Sequence, residues 1–261
     1  MTTREELIRE HVIHEFDRAL AVRNITGCYG ALCAQFYRHL LGHVKGRRVL
    51  DVGCGLGLFG STAAQQGFQV HSIDIDERSL EIARELFGPA YHQESAYATS
   101  LPDGAIDTVV LNDAVCHLDL DPLVQELDRL GAARVIIHES NLGNALLTRY
   151  RKATGHQEHR DYLAEELAEQ LGRRGFRQQH CSYCNVLALP LSGGLQRKPA
   201  PLIGRFPRFI GGLDWLACGL AHAVGLQRRL AFRFVLIVDR IAQEETVAGA
   251  AAKGGHNEFA T

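Results

Sequence analysis

VLDVGCGLGLFG, residues 49–60, is an apolar stretch that runs into a series of glycines, and two registers can be read in it. Read from Gly55 it spells G-x-G-x-x-G, the pattern of a turn that carries a dinucleotide. Read from Gly53 it spells G-x-G-x-G with Asp51 two places ahead, a turn suited to S-adenosylmethionine. Either register puts an adenosine at the carboxyl end of a first β-strand, where glycines let the main chain bend beneath a ligand and the next helix presents its first N–H groups. In the Gly55 register Asp51 and Gly53 would sit inside a buried parallel strand, where both are poor core residues. The Gly53 register ends the strand at Asp51 and is the better of the two.

Outward from the turn the chain alternates between strand and helix. RVLDVG is followed by a helix from Leu58 to Gln66, strand QVHSIDI, a helix from Arg78 to Phe87 and strand AIDTVVLND. A helix near Leu120–Leu130 and the strand RVIIHES come next. Helix Asp161–Arg174 ends at Gly175, a strand covers Arg177–Leu189, and LAFRFVLIVD at 230–239 is a long final strand. The fold class is therefore α/β, a mainly parallel sheet with helices on both faces. Ahead of it, Leu7, Ile8, Val12, Phe16 and Leu20 mark one amphipathic helix and Tyr29 to Val44 a second, so residues 1–45 are expected to form a helical lid on a core of residues 46–242. The small, polar residues 243–261 are an expected disordered tail.

A length of 261 residues suits one large α/β domain with elaborations, and a formal charge of −2 gives no global attraction to nucleic acid. The seven cysteines lack the density of a secreted framework and point to a reducing, cytoplasmic setting. The charged, periodic MTTREELIREHVIHEF reads as neither a signal peptide nor an anchor. Cys181 and Cys184 form C-x-x-C, but in a strand they face opposite ways and no second pair follows at zinc spacing, so two separate packing cysteines are expected.

The segments VLDVGCGLG, VHSIDID and SLPDGAIDTVVLNDAVCHL, with the late helix EHRDYLAEELAEQLGRRGF, resemble in order the signature segments of class I S-adenosylmethionine-dependent methyltransferases, over roughly residues 45–180. The resemblance implies a Rossmann-like seven-stranded sheet with an antiparallel last strand, which LAFRFVLIVD fits. It implies that Asp51, Gly53 and Gly55 line the methionine side of S-adenosylmethionine, with Gly57 completing the turn, and that Asp74 holds the ribose. Ile75 would lie against the adenine, with Ser95, Ala96 and Tyr97 at its edge, and Asn112 would reach the methionine portion. One departure is that Glu94-Ser95-Ala96 stands where the family often has an acid directly before the alanine.

A sulfonium methyl group is already electrophilic, so such an enzyme mainly has to hold a nucleophile in line with it, and a base is optional. His117 and His138 follow the fourth and fifth strands and are the candidate bases for a phenol or hydroxyl; His156 and His159 are expected to be solvated. Ubiquinone-pathway O-methyltransferases, which resemble this region, place two acids and a histidine where this chain has Asp113, Cys116 and His117. A thiol is a poor partner for a hard cation, and no metal is expected. The expected activity is methyl transfer to a small or amphiphilic, lipid-like acceptor, at oxygen ahead of nitrogen or carbon. The alternatives are an NAD-dependent oxidoreductase and a non-catalytic S-adenosylmethionine-binding subunit. With NDAV in place of an N-P-P-Y signature, nucleic acid is not the expected substrate.

Residues 190–229 interrupt the alternation with four prolines and the apolar run FIGGLDWLACGLAHAVGL. Between Tyr183 and Arg233 stand Arg197, Lys198, Arg205, Arg208, Arg228, Arg229 and Arg233 against the single acid Asp214. Glycines, Asp214 and His222 break the run too often for a spanning helix. Two readings remain, a buried helical hairpin capping the substrate pocket with its apolar faces on the sheet, which is the default, and a peripheral contact with an anionic membrane surface.

Overall fold

The structure, a computed structural model, describes residues 17–154, 162–194, 200 and 202–241. Helices α1 (Arg18–Thr26) and α2 (Cys28–Leu40) precede β1 (Arg48–Val52), α3 (Leu58–Gln65), β2 (Gln69–Asp74), α4 (Glu77–Phe87), β3 (Tyr91–Gln93) and β4 (Thr108–Asn112). There follow α5 (Leu120–Arg129), β5 (Arg134–Ser140), α6 (Ala145–Thr154), α7 (Ala164–Gly172), β6 (Phe176–Cys184), α8 (Ala188–Ser192), α9 (Pro207–Ala223), α10 (Gln227–Leu230) and β7 (Arg233–Arg240). The strands form one seven-stranded sheet in the order β3-β2-β1-β4-β5-β7-β6. β7 runs antiparallel to both of its neighbours and the other pairings are parallel, as the sequence resemblance implied.

Burial on both faces follows from the period-2 alternation of the central strands. Leu50, Val52, Val109, Leu111, Val135, Ile137, Leu236 and Val238 pack on one face with α5 and α7. Val49, Val110, Ile136, Val235 and Ile237 pack on the other with Tyr37 and Leu40 of α2 and Phe59 and Ala63 of α3. In α5 the buried residues Leu120, Leu123, Val124 and Leu127 recur at helical spacing, which fixes the side it turns to the sheet. Cys181 joins the first cluster and Cys184 the second, as expected for residues on opposite faces of one strand.

Three expectations change. The strand expected at Arg177–Leu189 stops at Cys184, because Asn185 takes a left-handed backbone (φ 62°) and the following N–H groups leave the ladder. The N–H groups of Leu187 and Ala188 donate instead to one oxygen of Asp214, at 2.5 and 2.8 Å. The expected hairpin in 190–229 is replaced by the 17-residue α9 and the short α10, with much of the apolar surface facing outward. β3 and α6 were not foreseen; β3 is too short for a periodic signal. The Leu7–Phe16 part of the first expected helix, His156, His159, Arg197, Lys198 and the tail 243–261 lie outside the described residues.

Asp214→Ala would strand the buried Ala188 N–H and the half-buried Leu187 N–H and should cost about 1–3 kcal/mol. Denaturant unfolding of the variant and the parent chain measures it.

Candidate active site

The chain lays β1, β2 and β3 side by side and then crosses to the other side of β1 to place β4, so the connections diverge at the carboxyl ends of β1 and β4. A crevice is expected at such a reversal. A cavity of about 380 Å³ opens there, lined by Asp51, Gly53, Gly55, Asp74, Ile75, Ala96, Asn112 and His117, among others. Gly53 (φ 68°) leaves β1 so close to the loop after β4 that a β-carbon would stand 2.7 Å from that of Ala114. Gly55 (φ 50°) has open space where its β-carbon would be, and so presents bare main chain.

Acidic side chains hold this turn from below. One oxygen of Asp74 accepts the Gly55 N–H at 2.7 Å and the other the Asp76 N–H at 2.9 Å. Burial pushes its carboxyl above the ordinary range. Asp51 is fully buried; its Oδ2 accepts from the Ser72 hydroxyl at 3.2 Å, whereas Oδ1 has no partner. Burial pushes the Asp51 carboxyl up to about 7.

Three expected residues, Gly57, Ser95 and Tyr97, stand outside the wall. Gly57 caps the start of α3 against Tyr91, whose hydroxyl donates to its carbonyl at 2.8 Å. Ser95 accepts from the Tyr97 N–H at 3.2 Å. Glu94 does line the cavity, its carboxylate holding the N–H and hydroxyl of Ser100 at 2.9 and 2.8 Å.

A second cavity, of about 450 Å³, adjoins the first under α2, α8 and α9. Tyr29 and Tyr37 of α2 line both and form the partition. His138 lines the second cavity rather than the first, so the two candidate bases are separated. The register pairs Asn112 with His138 on neighbouring strands, and the two side chains bond at 2.6 Å, from His138 Nδ1 to Asn112 Oδ1. Asn112 Nδ2 in turn donates to the Tyr37 hydroxyl at 2.8 Å. An amide oxygen only accepts, so Nδ1 carries the proton and the buried Nε2, which has no partner, offers a lone pair. Burial, with the charge of Arg233 adding to it, pushes His138 down to about 3, so the ring is neutral at physiological pH.

Sequence reasoning missed the charges between the cavities. Asp113 adopts a left-handed backbone (φ 52°), rare for a non-glycine residue, and its carboxylate pairs with Arg233. Burial pushes the Asp113 carboxyl up, but the charge and hydrogen bond of Arg233 together with further nearby positive charge hold the group below the usual carboxylate range. Beneath it, burial and then Asp113 push Glu139 up to about 7. At the other end of the second cavity, His43 stacks on His180 at 5.6 Å and meets His39 edge-on at 5.9 Å. No local signal links NDAV to the arginine that opens the last strand. Among the described residues no group of three His, Cys, Asp or Glu side chains is arranged to hold a metal ion.

Residues 50–134 match the family model described as a methyltransferase domain. Over 50 residues the chain is 50% identical to the ubiquinone biosynthesis O-methyltransferase of Bordetella avium, covering 19% of this chain and 21% of that protein. The matched stretch is thus about a fifth of the curated relative's length. Among solved structures, a SAM-dependent methyltransferase of Archaeoglobus fulgidus superposes with a TM-score of 0.60 at 19% identity, over 86% of this chain and 100% of the other. The geranyl diphosphate C-methyltransferase of Streptomyces coelicolor gives 0.56 at 15% identity, over 82% and 81%. At these identities the likeness is one of fold.

Because Asp51 titrates near 7 when folded and near 3.8 when free, the stability it contributes is present below pH 3.8 and lost as pH rises through 7. Asp51→Asn should stabilise the ligand-free protein at pH 8, by up to about 4 kcal/mol, and the gain should vanish near pH 4. Unfolding at the two pH values reads the difference.

Proposed function

We propose that this chain, whose residues 50–134 match a methyltransferase-domain family model, transfers the methyl group of S-adenosylmethionine to an oxygen of a small or amphiphilic acceptor. The observation that carries the reading is the first cavity, where bare main chain at Gly55 lies over a carboxylate held at the end of β2. That cradle fits the cofactor. Gly53, Gly55 and the unpartnered oxygen of Asp51 would face its amino-acid portion, Asp74 its ribose hydroxyls, and Ile75 and Ala96 its adenine, while Asn112 sits where the two cavities meet. An NAD-dependent oxidoreductase fits less well, because the dinucleotide sheet order 3-2-1-4-5-6 has no antiparallel strand inserted beside β5. The O-methyltransferase relatives support oxygen as the atom methylated.

When bound, S-adenosylmethionine supplies an activated methyl group, which leaves the chain two tasks: to place the acceptor and to take its proton. The second cavity offers Leu32, Phe36, Leu189 and Val235 as an apolar wall for the body of an acceptor. His138 Nε2, buried and without a partner, gives a lone pair to which a hydroxyl there would donate. Asn112 and Tyr37 hold the resting ring in the tautomer whose Nε2 is the unprotonated nitrogen. A base of pKa about 3 is too weak to ionise a phenol in advance. It is strong enough to receive the proton as the oxygen gains its methyl group, because a protonated ether is a far stronger acid. The proton then passes from Nε2 to solvent. His117, at the first cavity, is the less suited of the two candidate bases.

Titration calorimetry with S-adenosylhomocysteine and with NADH separates the two cofactor classes; uptake of NADH alone would overturn the reading. Asp74→Ala should weaken S-adenosylhomocysteine binding about 10–100-fold, the loss of a charged hydrogen-bond acceptor, with unchanged circular dichroism. With a 4-alkylcatechol as test acceptor, His138→Gln should lower kcat about 10²–10⁴-fold, leave S-adenosylhomocysteine affinity within twofold, and change KM little. The parent enzyme should show no ascending limb near pH 6.5.

A further inference from the structure

Helix α9 is built inside out. Its buried stripe carries Ile210, Asp214 and Ala221, while Phe209, Trp215, Leu216 and Leu220 on the opposite stripe are 57, 75, 55 and 69% exposed. The inward acid is held by the N–H groups of Leu187 and Ala188, so the helix cannot simply roll over to bury its apolar side. A surface helix in water has the reverse arrangement. The apolar strip continues through Phe206 before the helix and Val224 and Leu226 after it, a contiguous patch of the kind that marks an interaction face.

Its border is basic. Arg205 and Arg208 stand at one end and Arg228 and Arg229 at the other, all exposed. Among the described residues Arg228 is paired to Glu165 at 2.9 Å, and no ion pair engages Arg205, Arg208 or Arg229. No helix among the described residues is long and apolar enough to cross a membrane.

We propose that this face docks on an anionic lipid bilayer. α9 lies in the plane of the interface, with Phe209, Trp215, Leu216 and Leu220 below the headgroups and Arg205, Arg208 and Arg229 at lipid phosphates. Charge favours lipid over a second copy of the chain, since a two-fold contact through this face would bring the same cations together. Gly211, Asp214, Trp215 and Cys218 of α9 also line the second cavity, so docking sets that cavity beside the lipid phase. A lipid-like acceptor can then enter it without crossing water; this consequence rests on the methyl-transfer reading, and the docking does not.

Trp215 is the only tryptophan in the chain, so its emission reports on this face alone. Titrating the full-length protein with vesicles of phosphatidylglycerol and phosphatidylcholine should shift that emission to the blue and shield it from acrylamide. Phosphatidylcholine alone should act at least about tenfold more weakly, and added salt should narrow the gap. Arg205→Gln with Arg208→Gln should weaken vesicle binding about thirtyfold. Leu216→Gln with Leu220→Gln should abolish vesicle flotation while circular dichroism and S-adenosylhomocysteine binding persist.

Emission unchanged by either vesicle would overturn the proposal. So would a shift that follows protein concentration without lipid, which would mean that a second copy covers the face. Retained S-adenosylhomocysteine binding in the same preparation confines either failure to the docking, and vesicle binding without it would sink the methyl-transfer reading alone.

Discussion

The parallel pairing of β1 with β4 constrains everything near the site. The chain leaves β1 toward one edge of the sheet and arrives at β4 from the other side, so no connection covers the carboxyl ends of these two strands. Residues far apart in sequence are brought to one rim: Asp51 and Gly53 from β1, Asp74 from β2, Asn112 from β4 and His138 from β5. Register then decides which of them touch. Asp51 is level with Ser72, and Asn112 with His138, and each pair is joined by a hydrogen bond across neighbouring strands.

The cost of this arrangement is charge taken out of water. Asp51 and Glu139 are buried and Arg233 nearly so, while Asp113, half-exposed at the first cavity, is the carboxylate matched to Arg233. A lone buried charge is expensive enough that a group gives up its charge instead, which is why Asp51 and Glu139 move toward neutrality while Asp113 keeps its proton off. The positive φ of Asp113 is a further local cost, and it aims the carboxylate at an arginine on the final strand. The same dryness that shifts these groups keeps His138 uncharged.

Most of the sheet was legible from the chain because each central strand writes its burial twice, once on each face, as a run of β-branched and aliphatic residues bounded by glycine or a polar turn. The glycine turn was legible for a similar reason, since few residues tolerate its backbone. What escaped was non-local or too short. Arg233 meets Asp113 only after the chain has crossed the sheet, and β3 is three residues long. The end of β6 was misjudged because Val186, Leu187 and Leu189 look like strand; Asp214, distant in sequence, draws the backbone away. The apolar run 209–226 was read as a length of buried helix because hydropathy records how much apolar surface a segment has, not which side of it meets the sheet.

Helix α2 supplies Tyr29 and Tyr37 to both cavities, so neither compartment has a wall of its own there. An occupant of one that nudges this helix reshapes the other. Thermodynamic reciprocity then requires that whatever factor the first guest imposes on the second, the second imposes on the first. Through one shared wall, any change to either tyrosine alters the lining of both chambers at once.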